Sequence, residues 1–184
     1  MRKVILFVLL TLSFSLHALE VDGVKLPGAM QLGENELVLN GAGTRSKFFI
    51  DLYVGSLYLQ KKSSVSSDVI NAEEKMVIRL DITSSLITSE KMTDATFEGF
   101  ENATNGNISS IKAEINQFMS AFSEEIKEGD KFEFAYAPEE GVVVTKNGTL
   151  KETIVSTPFK RALFGIWLSD KPAQDSLKEE MLGR

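Results

Sequence analysis

Residues 36–59 read ELVLNGAGTRSKFFIDLYVGSLYL. Glu36 to Asn40 alternates apolar and polar side chains, the period of a strand. Gly41-Ala42-Gly43 interrupts it, and Thr44-Arg45-Ser46-Lys47 follows. Residues 48–59 are too rich in aromatic and β-branched side chains for a helix and predict one long strand, bent at Gly55. The glycine pair does not read as a phosphate loop, because no helix follows it. A strand bend or bulge is the better reading. Arg45 then sits between a glycine-bent strand end and a very apolar strand.

Working outward, residues 21–27 predict an earlier strand and Gly33-Glu34-Asn35 a turn. Residues 75–82 place Met76, Ile78, Leu80 and Ile82 on one face and Lys75, Arg79 and Asp81 on the other, a half-buried strand. Residues 88–103 predict a helix, with Thr88 at its cap. Residues 108–126 carry Ile108, Ile111, Ile115, Phe118, Phe122 and Ile126 at steps of three or four, which predicts a second, longer helix. Residues 131–136 predict a strand. Asn147-Gly148 marks a hairpin between strands at 142–144 and 150–155. Pro158 opens a helix through Leu168, and Pro172 opens a last one carrying Leu177 and Met181. Antiparallel hairpins with segregated helices imply an α+β fold.

The whole chain has 184 residues, with 20 Lys+Arg, 26 Asp+Glu, one His, no Cys and a formal net charge of −6. The length fits one domain. The acidic balance argues against a nucleic-acid partner, whose phosphates need a basic face. Residues 1–18 have the layout of a secretory signal peptide: Arg2 and Lys3, an apolar run over 4–16, then Leu16-His17-Ala18 with a small residue at the cleavage point. The apolar run is shorter than the roughly 20 residues of a spanning helix. An uncleaved N-terminal anchor is the competing reading. Cleavage after Ala18 leaves residues 19–184 as a single domain without a transmembrane segment, expected in the periplasm or outside the cell. That mature chain holds 18 Lys+Arg against 26 Asp+Glu, a net −8, and neither His nor Cys.

Lacking both residues, it cannot build a Ser-His-Asp or Cys-His device, or a zinc site on His or Cys. No metal and no cofactor are expected. Paired carboxylates such as Glu73-Glu74 and Glu124-Glu125 read as solvated faces. Arg45 is a candidate anchor for an anionic head group, since its planar donors suit a carboxylate. A surface arginine, or one paired with Asp51, is the competing reading. Met76, Met92 and Met119 are candidates to line an adaptable pocket, against ordinary core filling.

The run Leu39-Asn40-Gly41-Ala42-Gly43-Thr44-Arg45, with Lys47-Phe48 and Gly55-Ser56-Leu57-Tyr58-Leu59, resembles the chalcone isomerase-like family. The resemblance continues through Arg79, through Ser89-Glu90-Lys91-Met92-Thr93 opening a helix, and through two short helices separated by Ser169-Asp170-Lys171-Pro172. It implies an open-faced β-sandwich, a large antiparallel sheet backed by helices with an apolar cleft between. Enzymes of the family cyclise chalcones to flavanones. In them an arginine steers the phenolate, a threonine and a tyrosine polarise the carbonyl through water, and an asparagine and a second hydroxyl hold the far end. Here the arginine matches Arg45. The threonine position falls on Tyr53, the tyrosine on Thr88, the asparagine on Ala95 and the last hydroxyl on Gly165. Thr88 keeps a donor, but Ala95 and Gly165 have none, which removes the orientation such a reaction depends on. Non-catalytic members similar to fatty-acid-binding proteins keep the arginine as a carboxylate anchor.

The expectation is therefore a periplasmic, non-catalytic binding protein. It holds a small amphipathic anion, such as a fatty acid, in an apolar cleft, with Arg45, Tyr53 and Thr88 as candidate ligand-binding residues. The alternative is an intramolecular lyase on a chalcone-like or unknown enone, with the same three as candidate catalytic residues. A third reading is a partner-binding protein whose cleft is filled by side chains. A cavity beside Arg45 separates these readings. Whether Tyr53 points into it depends on register, since a slip of one residue turns it out.

Overall fold

The structure, a computed structural model, describes residues 19–184; the expected signal peptide and its cleavage point after Ala18 lie outside the described residues. The chain opens on a two-stranded hairpin, β1 (Leu19–Val21) and β2 (Val24–Leu26), turned by Asp22-Gly23. The single strand expected over 21–27 is thus split by that turn. Seven strands follow as one antiparallel meander in chain order: β3 (Ala29–Leu32), β4 (Asn35–Lys47), β5 (Ile50–Leu59), β6 (Met76–Ile82), β7 (Lys131–Ala137), β8 (Gly141–Lys146) and β9 (Thr149–Ile154). The helix α1 (Ser66–Asn71) lies between β5 and β6. Between β6 and β7 come α2 (Ser89–Ala103) and α3 (Lys112–Ser120), and after β9 come α4 (Thr157–Leu168) and α5 (Asp175–Met181). This is the expected α+β arrangement of one antiparallel sheet with segregated helices. Among the described residues no helix is long and apolar enough to cross a membrane.

Alternation along the strands gives the sheet two faces. Leu57, Ile78, Leu80, Phe132, Phe134 and Val144 point to the inner face and pack on the helices. Leu39, Val54, Tyr58 and Val77 point to the outer face and pack with Leu26 of the β1–β2 hairpin. Sandwiched this way, β6 is buried along its whole length, including Arg79 and Asp81. The half-buried strand read from alternation is therefore a central one. Its two charges satisfy each other across one pleat, Arg79 Nε to Asp81 Oδ2 at 2.8 Å and Nη2 to Oδ1 at 2.7 Å.

The decisive irregularity lies in β4. Leu39 pairs with Tyr58 and Gly41 with Leu57, which leaves Asn40 as a bulge. Before it, Leu37 and Leu39 face outward. After it the parity inverts, so that Gly41, Gly43 and Arg45 pair with Leu57, Gly55 and Tyr53 on the inner face. The strand is not interrupted at the glycines. Asn40 is buried and holds the bulge through three bonds. Its Nδ2 donates to Ser63 O at 2.9 Å and to Met181 O at 2.8 Å, and its Oδ1 accepts from Ser63 N at 2.8 Å.

The glycines serve close packing. A Cβ at Gly41 would lie 2.1 Å from Glu180 O, and one at Gly43 1.7 Å from Glu180 Oε2. So α5 lies directly on the inner face of β4. Gly55 sits opposite Gly43 with the register unbroken through it, so no bulge lies there. Two more small positions let α2 and α4 approach: a Cβ on Gly99 would meet Ile166 at 2.8 Å, and one on Gly165 would meet Ala103 at 3.0 Å.

The helix expected over 108–126 is shorter. A 3-10 turn (Ser109–Ile111) precedes α3, and the N–H groups of Ala121, Phe122 and Ser123 bond three residues back, tightening its end. Phe122 and Ile126 are buried all the same. Their spacing recorded burial under the sheet rather than continuous helix. The last helix starts at Asp175 rather than at Pro172, with Gln174 as its N-cap. Buried Lys160 of α4 closes the end of α1, donating to the carbonyls of Val69 (3.2 Å), Ile70 (2.9 Å) and Ala72 (2.8 Å). Burial lowers its ammonium pKa to about 8.

Replacing Asn40 by Ala leaves the buried Met181 carbonyl and the half-buried carbonyl and N–H of Ser63 without their partner. Urea unfolding is expected to show a loss of about 3 kcal/mol, whereas Asn71→Ala, which removes one exposed bond, changes stability by under about 0.5 kcal/mol.

Candidate functional site

Between the inner face of the sheet and helices α2 and α4 lies a cavity of about 780 Å³. Its interior is apolar. Leu80, Ile87, Met92, Phe118, Phe122, Phe134, Ile166 and Trp167 all line it and are all buried. Trp167 stacks on Phe134 with ring centroids 5.8 Å apart. The mouth is open and mixed, edged by Lys47, Lys91, Asp94, Glu98 and Asn102 on one hand and by exposed Phe48, Ile50 and Leu86 on the other. Of the three methionines proposed to line a pocket, only Met92 does so. Met76 is buried in the core beneath it, and Met119 packs against the core from α3.

Arg45 and Tyr53 are directly cross-strand neighbours and both line the cavity. The side chain of Arg45 is steered by Gln174, whose Oε1 accepts from Arg45 Nη1 at 2.9 Å and from Ser46 N at 3.0 Å. Nη1 also donates to Ser46 O at 2.5 Å. The Nε and Nη2 donors make no hydrogen bond within the described residues. The competing pairing with Asp51 does not occur, because Asp51 accepts from Ser46 Oγ at 2.7 Å. Among the described residues Arg45 therefore has no carboxylate partner.

Tyr53 is buried under α4. Trp167 Nε1 donates to its hydroxyl oxygen at 3.0 Å. That occupies an acceptor site of the hydroxyl and leaves its proton to be donated elsewhere. Burial pushes the Tyr53 hydroxyl above its ordinary value, against the opposing effects of the Trp167 bond and the Arg45 charge. The group is thus a neutral hydrogen-bond donor through the physiological range. Together Arg45 and Tyr53 make a cationic, proton-donating corner in an apolar chamber, the arrangement that binds an oxyanion attached to an apolar body.

Thr88 lies elsewhere. It is exposed, caps α2 by accepting from Lys91 N at 3.2 Å, and does not line the cavity. The first-turn amide it satisfies is one of those every helix start leaves open, which is why a threonine stands there. Ala95 lines the cavity with a methyl group, and Gly165 lies in the α2–α4 contact. The structure therefore unites Arg45 and Tyr53 and separates Thr88 from them. Gln174 and Trp167 were missed as site residues. Trp167 is the single tryptophan of the chain, flanked by Ile166 and Leu168 on α4, but its partner lies 114 residues away. Gln174 carried no signal beyond its nearness to Pro172.

A family model described as chalcone isomerase-like matches residues 18–183. Among solved structures, a fatty-acid binding protein of Arabidopsis thaliana is similar, with a TM-score of 0.71 at 19% sequence identity, over 87% of this chain and 92% of that one. That likeness is one of fold. No curated protein matches the sequence.

All three tyrosines, Tyr53, Tyr58 and Tyr136, have hydroxyls held above the ordinary value by burial, Tyr58 at about 12. The folded chain then binds these protons more tightly than the unfolded chain. Their contribution to stability is complete below pH about 10 and is lost as pH rises through the folded values. A spectrophotometric titration is expected to show no phenolate near pH 10 while the chain stays folded. A tyrosine ionising there would contradict the burial.

Proposed function

The chain belongs to the chalcone isomerase-like family, and from that premise we propose that it is a non-catalytic binding protein for a small amphipathic anion such as a fatty acid. The pairing of Arg45 with Tyr53 at one corner of an apolar cavity carries this reading. A carboxylate there receives charge-assisted bonds from the guanidinium donors and from the neutral Tyr53 hydroxyl. The tail gains about 0.8 kcal/mol for each CH₂ taken from water into the aromatic interior. The similar Arabidopsis protein is a fatty-acid binding protein, which supports the same class of ligand. So does the fate of the positions that family enzymes use. Thr88 is spent on a helix cap outside the cavity, Ala95 offers a methyl, and Gly165 is buried between helices. Nothing among these holds the far end of a substrate in register with Arg45, so binding is favoured over cyclisation.

Native mass spectrometry of the purified chain is expected to show a co-purifying or added fatty acid such as palmitate. Arg45→Ala is expected to weaken palmitate by about tenfold or more, since hydrogen bonds to a charged group contribute about 1.5–3 kcal/mol. An empty cavity together with equal affinity in the variant would overturn the reading. We further propose export through the N-terminal segment, with cleavage after Ala18. Intact mass of the protein recovered from its native cell is expected to correspond to a chain starting at Leu19, and a full-length mass would refute it.

A further inference from the structure

The β4–β5 turn consists of two residues, Phe48 and Phe49, between the paired Lys47 and Ile50. Phe48 is 83% exposed and Phe49 107%. Ile50 and Leu86 are also exposed, and Phe48, Ile50 and Leu86 all line the mouth of the cavity. Both phenylalanines have left-handed backbone, φ 53 and φ 64. Bulky side chains are outliers in that region. A turn of this shape ordinarily carries Asn-Gly, as the same sheet does at Asn147-Gly148. Two large aromatic rings thus stand in water on backbone that disfavours them, and neither ring contributes to the core. Local stability explains neither their chemistry nor their place. Strain of this kind at a cavity mouth points to a function.

We infer that this aromatic tip docks on a lipid bilayer and seats the cavity mouth against the membrane, so that an amphipathic ligand passes between bilayer and cavity. The inference rests on the binding reading above. A bilayer suits the tip better than a protein partner does. A stable protein interface needs about 800 Å² of complementary surface on each side, whereas the tip is a convex pair of rings. A membrane interface accepts protruding aromatic side chains without shape complementarity. Lys47, with its Nζ 5.8 Å from the Phe48 ring centroid, stands beside the tip, and Lys91 lies on the same cavity rim. Asp94 and Glu98 share the rim, and the chain from residue 19 onward carries a net −8. Docking is therefore driven by the apolar rings, is reversible, and gains little from anionic lipid.

Sedimentation with phosphatidylcholine vesicles, with and without a quarter of phosphatidylglycerol, tests this. The wild-type chain is expected to partition onto both. Phe49→Gly removes a ring that does not line the cavity and relieves its backbone. It is expected to unfold at a higher temperature, to bind palmitate in solution as the wild type does, and to partition at least fivefold less. Phe48→Asn combined with Phe49→Gly is expected to partition at least tenfold less. Phe49→Trp is expected to keep partitioning and to show a blue shift of its added emission on vesicles. Docking is overturned if the wild type stays in the supernatant at every lipid concentration, or if the glycine variants partition as the wild type does. It is also overturned if the tip variants change only the oligomeric state. Palmitate binding without vesicle binding defeats the docking alone. Tip-dependent vesicle binding without palmitate binding defeats the ligand reading alone.

Discussion

A single bulged asparagine sets which way half of a strand faces. In an antiparallel ladder side chains alternate strictly, so one extra residue inverts every position beyond it. Asn40 is that residue. Without it Arg45 would stand on the outer face with the β1–β2 hairpin, and Gly41 and Gly43 would face away from α5. The bulge is secured by the asparagine amide, which ties together β4, the segment after β5 and the last carbonyl of α5. The bond to Met181 O is buried and the two to Ser63 are half-buried, so an unpaired carbonyl or N–H there is costly. One side chain thereby couples the sheet register to the seat of the C-terminal helix, and through Gln174 at that helix's start to the position of the guanidinium.

The chemistry of the cavity follows from what this arrangement leaves unpaired. The buried cations are engaged elsewhere, Arg79 by Asp81, Lys146 by Asp130 and Lys160 by the carbonyls that end α1. Arg45 is held by neutral oxygens only, and its remaining donors stand beside Tyr53 at the edge of an aromatic chamber. In a poorly solvated site a cation without a counter-ion favours an anionic guest. Trp167 completes the corner by taking up an acceptor site on the tyrosine oxygen. The helical layer above stays close-packed where Gly99 and Gly165 allow α2 and α4 to approach.

Much of this was legible before the chain was folded. The alternation in 75–82 and 131–136, the Asn147-Gly148 turn and the helical stripe of residues 88–103 all appear where expected, because each is local and its period is a direct image of which face is buried. Boundaries were less legible. The stripe at 108–126 continues past the end of α3, since a loop pressed under a sheet buries its apolar residues as a helix does. Nothing in the local pattern marks the short strand β3, and alternation places Arg79 and Asp81 on the polar face of a half-buried strand because their cover comes from other parts of the chain.

The sequence by itself determined the α+β class, the strand pairing around Asn147-Gly148, the absence of His and Cys chemistry beyond residue 18, and Arg45 as the residue to watch. Its likeness to the chalcone isomerase-like family was also readable from motif order. Only the tertiary structure decided that Asn40 and not the glycines breaks the register, that Tyr53 turns inward, that Thr88 belongs to a helix cap, and that Trp167 and Gln174 support the site. The physical reason is distance along the chain. Propensity and period act between near neighbours, whereas the bonds that orient Arg45 and Tyr53 span 129 and 114 residues and exist only once the sheet, α4 and α5 have packed together.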